Sequence, residues 1–344
     1  MDAKEDEVDY GQLIKQYPWI ATKKLDCILS PDSDGFLCGL LMSHVLGWNI
    51  RGFYDGKILV YDRFADYHHC IFLDLEINRS DIRSIGNHMI EYNRSLVLEN
   101  FNFGNCLQPN ILRGFDGKNV FDRKYPFGTI HLILGILQSA GSIQKISKNA
   151  VSPLLFADGV GNNLFGYPEN CLDWIRYLGI NRRGHILHPL FCDSGLNFYD
   201  VMEHLRDFFV MRDKYNATGY YGDNEYMEGG RNKRTGHQLK ISNTKGEMIN
   251  VLEIDPPLLS IHEKEKKRVE CFISELGNLT GWEYDASRWS WTNLKMIKFQ
   301  KGMLSGESAD LRVRLNNRNY LELFRKNPFS LAMTASNRIE YSLE

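Results

Sequence analysis

Several things are scarce in this 344-residue chain, and each scarcity excludes something. Its seven cysteines, at positions 27, 38, 70, 106, 171, 192 and 271, never form a Cys-x-x-Cys pair and are odd in number, which speaks against a disulfide framework and a thiolate zinc site. No apolar run reaches the roughly 18 to 20 residues that span a bilayer. The opening MDAKEDEVDY is acidic rather than basic and then apolar, so a cytoplasmic protein in a reducing compartment, without membrane association, is expected. Charge of one sign is also lacking: 41 Lys and Arg against 43 Asp and Glu leave a net charge of -2, so a polyanionic ligand would need a local basic patch. There is neither an internal repeat nor a low-complexity tract.

What is present is a hydrophobic share of 43%, enough for a substantial core, in a length that suggests two domains. Residues 24–30 form a short apolar run that stops at PDSDG, and FLCGLLMSHVLGW then carries apolar residues at helical spacing. NIRGFYDGKILVYD has an Asp-Gly turn between β-prone stretches. HHCIFLDLEI is a second apolar run ending on an acid, Asp74, and VSPLLFADG reads as a third, with strand, acid and glycine at Asp158. Helices are predicted near 128–141, 172–179 and 196–215, and an amphipathic one in IHEKEKKRVECFISELGNLTG. Strands alternating with helices predict an α/β fold with a largely parallel sheet, followed by a smaller α+β C-terminal domain.

In such sheets ligands bind beyond the carboxyl ends of the strands. Asp32, Asp34, Asp74 and Asp158 all fall at that rim. Carboxylates gathered there repel one another unless cations sit among them, and hard divalent ions are the natural counter-charge. Taken singly, each has a plainer explanation: Asp is a favoured helix cap, and PDSDG is a good turn.

The motifs resemble those of the DHH phosphoesterases, the superfamily of RecJ-type exonucleases, oligoribonucleases and family II pyrophosphatases. SPDSDGFLCGLLMSHVLGW is similar to their first motif, CIFLDL to the second, SIGNHM stands at the place of the Asp-His-His motif, and LLFADG is similar to the fourth. The resemblance covers about residues 22–180. It implies Asp32, Asp34, Asp74, His88 and Asp158 as metal ligands, with Asp74 bridging two manganese or magnesium ions and Asp74 and His88 as catalytic residues. An ion pair of that kind generates a nucleophile and clamps phosphoryl oxygens. The implied activity is hydrolysis of phosphate esters in a nucleotide, oligonucleotide or single-stranded nucleic acid.

The implied layout is an N-terminal arm at 1–21, a DHH-like domain at 22–190, a connector helix at 191–222 and a smaller substrate-binding domain at 223–344. Asn87 and the basic loop residues Arg231, Lys233 and Arg234 of GGRNKRTGH are the candidates for holding substrate. A homo-oligomer or a protein complex stays open. Departures from the family pattern are Ile28 and Ser30, where members carry a ligand, and Asn87 and Met89 in the third motif. They support an alternative, a DHH-like binding or scaffold subunit of a nucleic-acid-processing complex that has lost catalysis. A further alternative takes DSDG as the aspartyl motif of haloacid-dehalogenase-type phosphatases; Phe36 after the glycine departs from that pattern, and His88 then has no role. His68 and His69 precede the second motif and read as a solvated strand entry. Trp289 and Trp291 read as core of the smaller domain, ahead of stacking on bases.

Overall fold

The computed structural model describes residues 6–193, 195, 197–216, 236–305 and 315–344. Two sheets organise it. The larger has nine strands in the order β6-β5-β4-β1-β2-β3-β9-β8-β7, where β1 is Asp26–Leu29, β2 Asn49–Tyr54, β3 Ile58–Asp62, β4 Ile71–Leu73, β5 Arg83–Ile85, β6 Cys106–Leu107, β7 Val251–Asp255, β8 Leu258–Ile261 and β9 Leu294–Lys298. From β6 to β2 neighbouring strands run parallel. From β2 onward each neighbour is antiparallel, beginning with the hairpin that Asp55-Gly56 closes. Asp55 Oδ1 accepts from the amides of Lys57 and Ile58, and Gly56 supplies the left-handed backbone the turn needs (φ +83°).

The parallel strands are buried on both faces, as their unbroken apolar runs require. Successive residues therefore enter different cores. Cys27, Leu29, Phe53, Ile71 and Leu73 join the main core, while Ile28, Tyr54 and Phe72 join a smaller one on the other face, with Phe299 and Phe329. Ser33–Leu46 follows β1 as a helix with nearly every residue buried, so it is apolar all round rather than amphipathic. Gly47, at φ +67°, ends it.

The smaller sheet, β10 (Gln300–Ser305), β12 (Arg338–Leu343) and β11 (Ser330–Ala335), is antiparallel and contributes Leu304, Leu331, Met333 and Ile339 to the main core. Tyr54 Oη bonds the hydroxyls of Ser330 and Ser342, tying β2 to it. The sheets follow the chain differently from the expected layout. Strands β7–β9, within 223–344, extend the N-terminal sheet, with β9 covering the edge that β3 would otherwise expose.

The helix predicted at 196–215 is present as Phe198–Asn216; Phe208 packs on Phe156 and Phe272. VSPLLFADG is a correction. Val151–Phe156 is a helix and Ala157–Gly159 a single tight turn, so Asp158 does not end a strand. A short apolar run fits either state, but Pro153 has no amide hydrogen for a central strand and is tolerated in the first turn of a helix. Trp289 and Trp291 stack within the core (interplanar angle 12°). His68 and His69 pair with Asp81 and Asp66 on the exposed surface. Among the described residues no helix is long and apolar enough to cross a membrane, and all seven cysteines are free thiols.

Candidate metal centre

Asp34, Asp74 and Asp158 converge, with one carboxylate oxygen of each within 4.8 Å of the others. Asp34 lies in the first turn of the Ser33–Leu46 helix and is fully buried. Its carboxylate accepts the amides of Thr129 (2.6 Å) and Ile130 (3.2 Å), the opening residues of the helix Thr129–Ser139. Gly128, which caps that helix without a side chain, leaves room for this: a Cβ there would stand 2.8 Å from Asp34 Oδ2. Asp34 thus caps a helix 95 positions away, and the amides and helix dipole favour its negative charge.

Asp74 follows β4 and accepts from Thr129 Oγ1 at 2.8 Å. Asp158 is exposed toward the cleft and is held from behind by Asn87 Nδ2. Asp74 (φ +61°) and Asp158 (φ +47°) both occupy the left-handed region, uncommon for a residue with a side chain, and such conformations cost on the order of 1–3 kcal/mol each. Backbone outliers of this kind cluster at ligand-binding sites, and here two fall among three convergent carboxylates.

Electrostatics point the same way. Burial, then the charges of Asp158 and Asp32, push the Asp34 carboxyl well above the ordinary carboxylate range, against the two amide bonds that lower it. Asp74 is likewise driven well up by burial, then by Asp34 and Asp158. Two buried acids that resist ionisation beside a third are an arrangement that a cation would stabilise. Carboxylate oxygens suit magnesium, calcium or manganese, so the residues fit a hard divalent cation.

The remaining predicted residues are placed less uniformly. Asp32 lines the cleft but caps its own helix: Oδ1 accepts from the amides of Asp34 and Gly35 at 3.2 Å, and Oδ2 from Ser30 Oγ at 3.0 Å. It stands outside the convergent three. His88 lines the cleft with its ring beside Glu76, also outside the three. Asn87 is buried: it spans Asp158 and the carbonyl of Phe127 rather than facing a substrate, and its Oδ1 has no partner among the described residues. Ile28 is sealed in the second core, and Met89 is buried, its carbonyl accepting from Met333 of β11. Arg231, Lys233 and Arg234 lie outside the described residues.

Above the carboxylates opens a cleft of about 750 Å³, within the usual size for small-ligand sites. Asp32, Asp74, Asp158 and His88 line it, as do Lys57, Lys240 and Lys301, with Asn243, Thr334 and Tyr341. Residues 236–242 run past the first motif, where the amide of Leu239 donates to the Pro31 carbonyl. His237 is half-buried there, and desolvation lowers its pKa to about 4 although Asp32 pulls the other way. Thr129, Glu76, His237 and the lysines were not singled out from sequence. Only Glu76, two residues after Asp74 in DLEI, carried a local signal.

Compared with models of known protein families, with curated proteins and with solved structures, the chain matches none of them.

Proposed function

We propose that the protein is a divalent-metal-dependent phosphoesterase of the DHH type, acting on a phosphate ester of a nucleotide, oligonucleotide or nucleic-acid end with Mn2+ or Mg2+. The observation that carries this is the convergence of Asp34, Asp74 and Asp158 beneath a cleft that also holds lysines. When bound, such an ion polarises the phosphoryl oxygen and makes water a nucleophile at neutral pH.

The chain's own residues supply the rest. Thr129, Ile130 and Asn87 fix the three carboxylates from behind, so the donor geometry is set before anything binds. Lys57 and Lys240 bring positive charge into the cleft, where Lys301 is paired with Glu340, and this charge favours a phosphorylated ligand. Asp32, hydrogen-bonded within its own loop, keeps the turn that presents Asp34.

A second reading, a DHH-like binding or scaffold subunit without catalysis, draws on Asp32 serving as a cap and on Asn87 and Met89 facing inward. Hydrolysis of nucleotide and short oligonucleotide esters separates the two. Activity should require Mn2+ or Mg2+ and vanish in Asp34→Asn and Asp74→Asn, with folding intact by circular dichroism. Mn2+ binding without turnover on any such ester would favour the scaffold.

A further inference from the structure

We infer that Glu76 is a positioning residue of this site, holding the His88 ring with Nδ1–H turned inward so that Nε2 is the nitrogen offered to the cleft. Glu76 is 5% exposed, a buried acid that lines the cleft. Its Oε1 accepts the His88 amide at 2.7 Å and lies 3.4 Å from His88 Nδ1. The His88 carbonyl is taken by Gln108 Nε2, so the residue is fixed at backbone and ring together. A carboxylate only accepts, so the nitrogen facing it must carry a hydrogen. Nε2 then keeps the lone pair whenever the ring is neutral.

Gly86 makes this arrangement fit. A Cβ there would sit 2.6 Å from Glu76 Cδ, forcing the carboxyl away from the ring. Charge agrees with geometry: burial alone would lower the His88 pKa, yet Glu76, followed by Asp158, outweighs it and raises the ring to about 9.

An imidazole whose Nδ1–H is committed to a carboxylate is what divalent-metal sites use to orient a histidine and raise its basicity. His88, which lines the cleft outside the three convergent carboxylates, would thereby offer Nε2 to a ligand in the cleft. This last step rests on the metal reading above; the tautomer does not.

The test is two-bond 1H–15N correlation on histidine-labelled full-length protein, at alkaline pH where the ring is neutral, with His88→Gln for assignment. Wild type and Glu76→Gln, which retains an acceptor, should show the Nδ1–H form. Glu76→Leu and Gly86→Ala, which remove the carboxyl by different routes, should both move toward Nε2–H, the form free histidine prefers. In those two variants Mn2+ affinity, followed by electron paramagnetic resonance of the free ion, should fall about 10- to 100-fold while melting stays cooperative. An Nε2–H ring in wild type, or an unchanged tautomer in both Glu76→Leu and Gly86→Ala, overturns the inference. An Nδ1–H ring in a protein that binds no Mn2+ upholds the positioning role and overturns the metal reading instead.

Discussion

Replacing Asp74 with asparagine should make the ion-free protein more stable and the ion-supplied protein relatively less so. Asn is nearly isosteric with Asp and keeps an acceptor for Thr129 Oγ1, so the change removes charge and little else. Asp34 and Asp74 are both buried and their nearest oxygens are no more than 4.8 Å apart. Two full charges at that separation repel by about 3.5 kcal/mol at an effective permittivity of ~20. The pair escapes part of this by retaining a proton, at about 1.4 kcal/mol per unit of pKa shift, so the relief from Asp74→Asn should be about 1–3 kcal/mol. Asp158 is exposed, and water screens its share. With Mn2+ at a hundred times its dissociation constant, wild type should gain about 2.7 kcal/mol and the variant much less. Melting by circular dichroism with EDTA or Mn2+ reads both arms, and the two curves should exchange order. An Asp74→Asn protein that melts lower than wild type in EDTA, or gains as much from Mn2+, would refute the idea that these carboxylates await a cation.

Two further outcomes follow from the same geometry. Because the folded-state pKa values of Asp34 and Asp74 are raised, the native state holds more protons than the unfolded chain above the ordinary carboxylate value near 4. Stability from these groups is present below that value and lost as pH rises through the raised ones, so on lowering the pH from 7 to 5 in EDTA wild type should gain melting temperature relative to Asp74→Asn, a comparison that cancels the opposing effect of His131, His185 and His237, which burial lowers to about 4 in both; Mn2+ should flatten or reverse the difference, and calorimetry of both proteins at several pH values checks it. Thr129→Val keeps the shape but leaves Asp74 Oδ1 without its 2.8 Å donor, which should cost about 1–3 kcal/mol in urea unfolding and weaken Mn2+ binding in titration calorimetry.

The sequence made parts of this legible for physical reasons. Unbroken apolar runs ending in acids marked β1 and β4, and with them Asp34 and Asp74, because parallel strands need apolar residues on both faces. Asp158 converges with Asp34 and Asp74 from a helix and turn rather than from a strand end, since a six-residue apolar run with an early proline does not declare its state. Glu76, Thr129 and Gln108 went unnoticed because their partners are distant in sequence, as with Thr129 and Asp34. The same limit hid the pairing of β9 with β3: an edge strand announces that it can be covered, not by which segment. Asp32 illustrates the opposite case: the plain helix cap is what its side chain forms, while it also lines the cleft.

The most direct test of the account is an anomalous-scattering map from crystals soaked in Mn2+. The account predicts a peak within coordination distance of Asp34, Asp74 and Asp158 that disappears in Asp74→Asn crystals. Well-ordered carboxylates with no peak between them at saturating Mn2+ would contradict it.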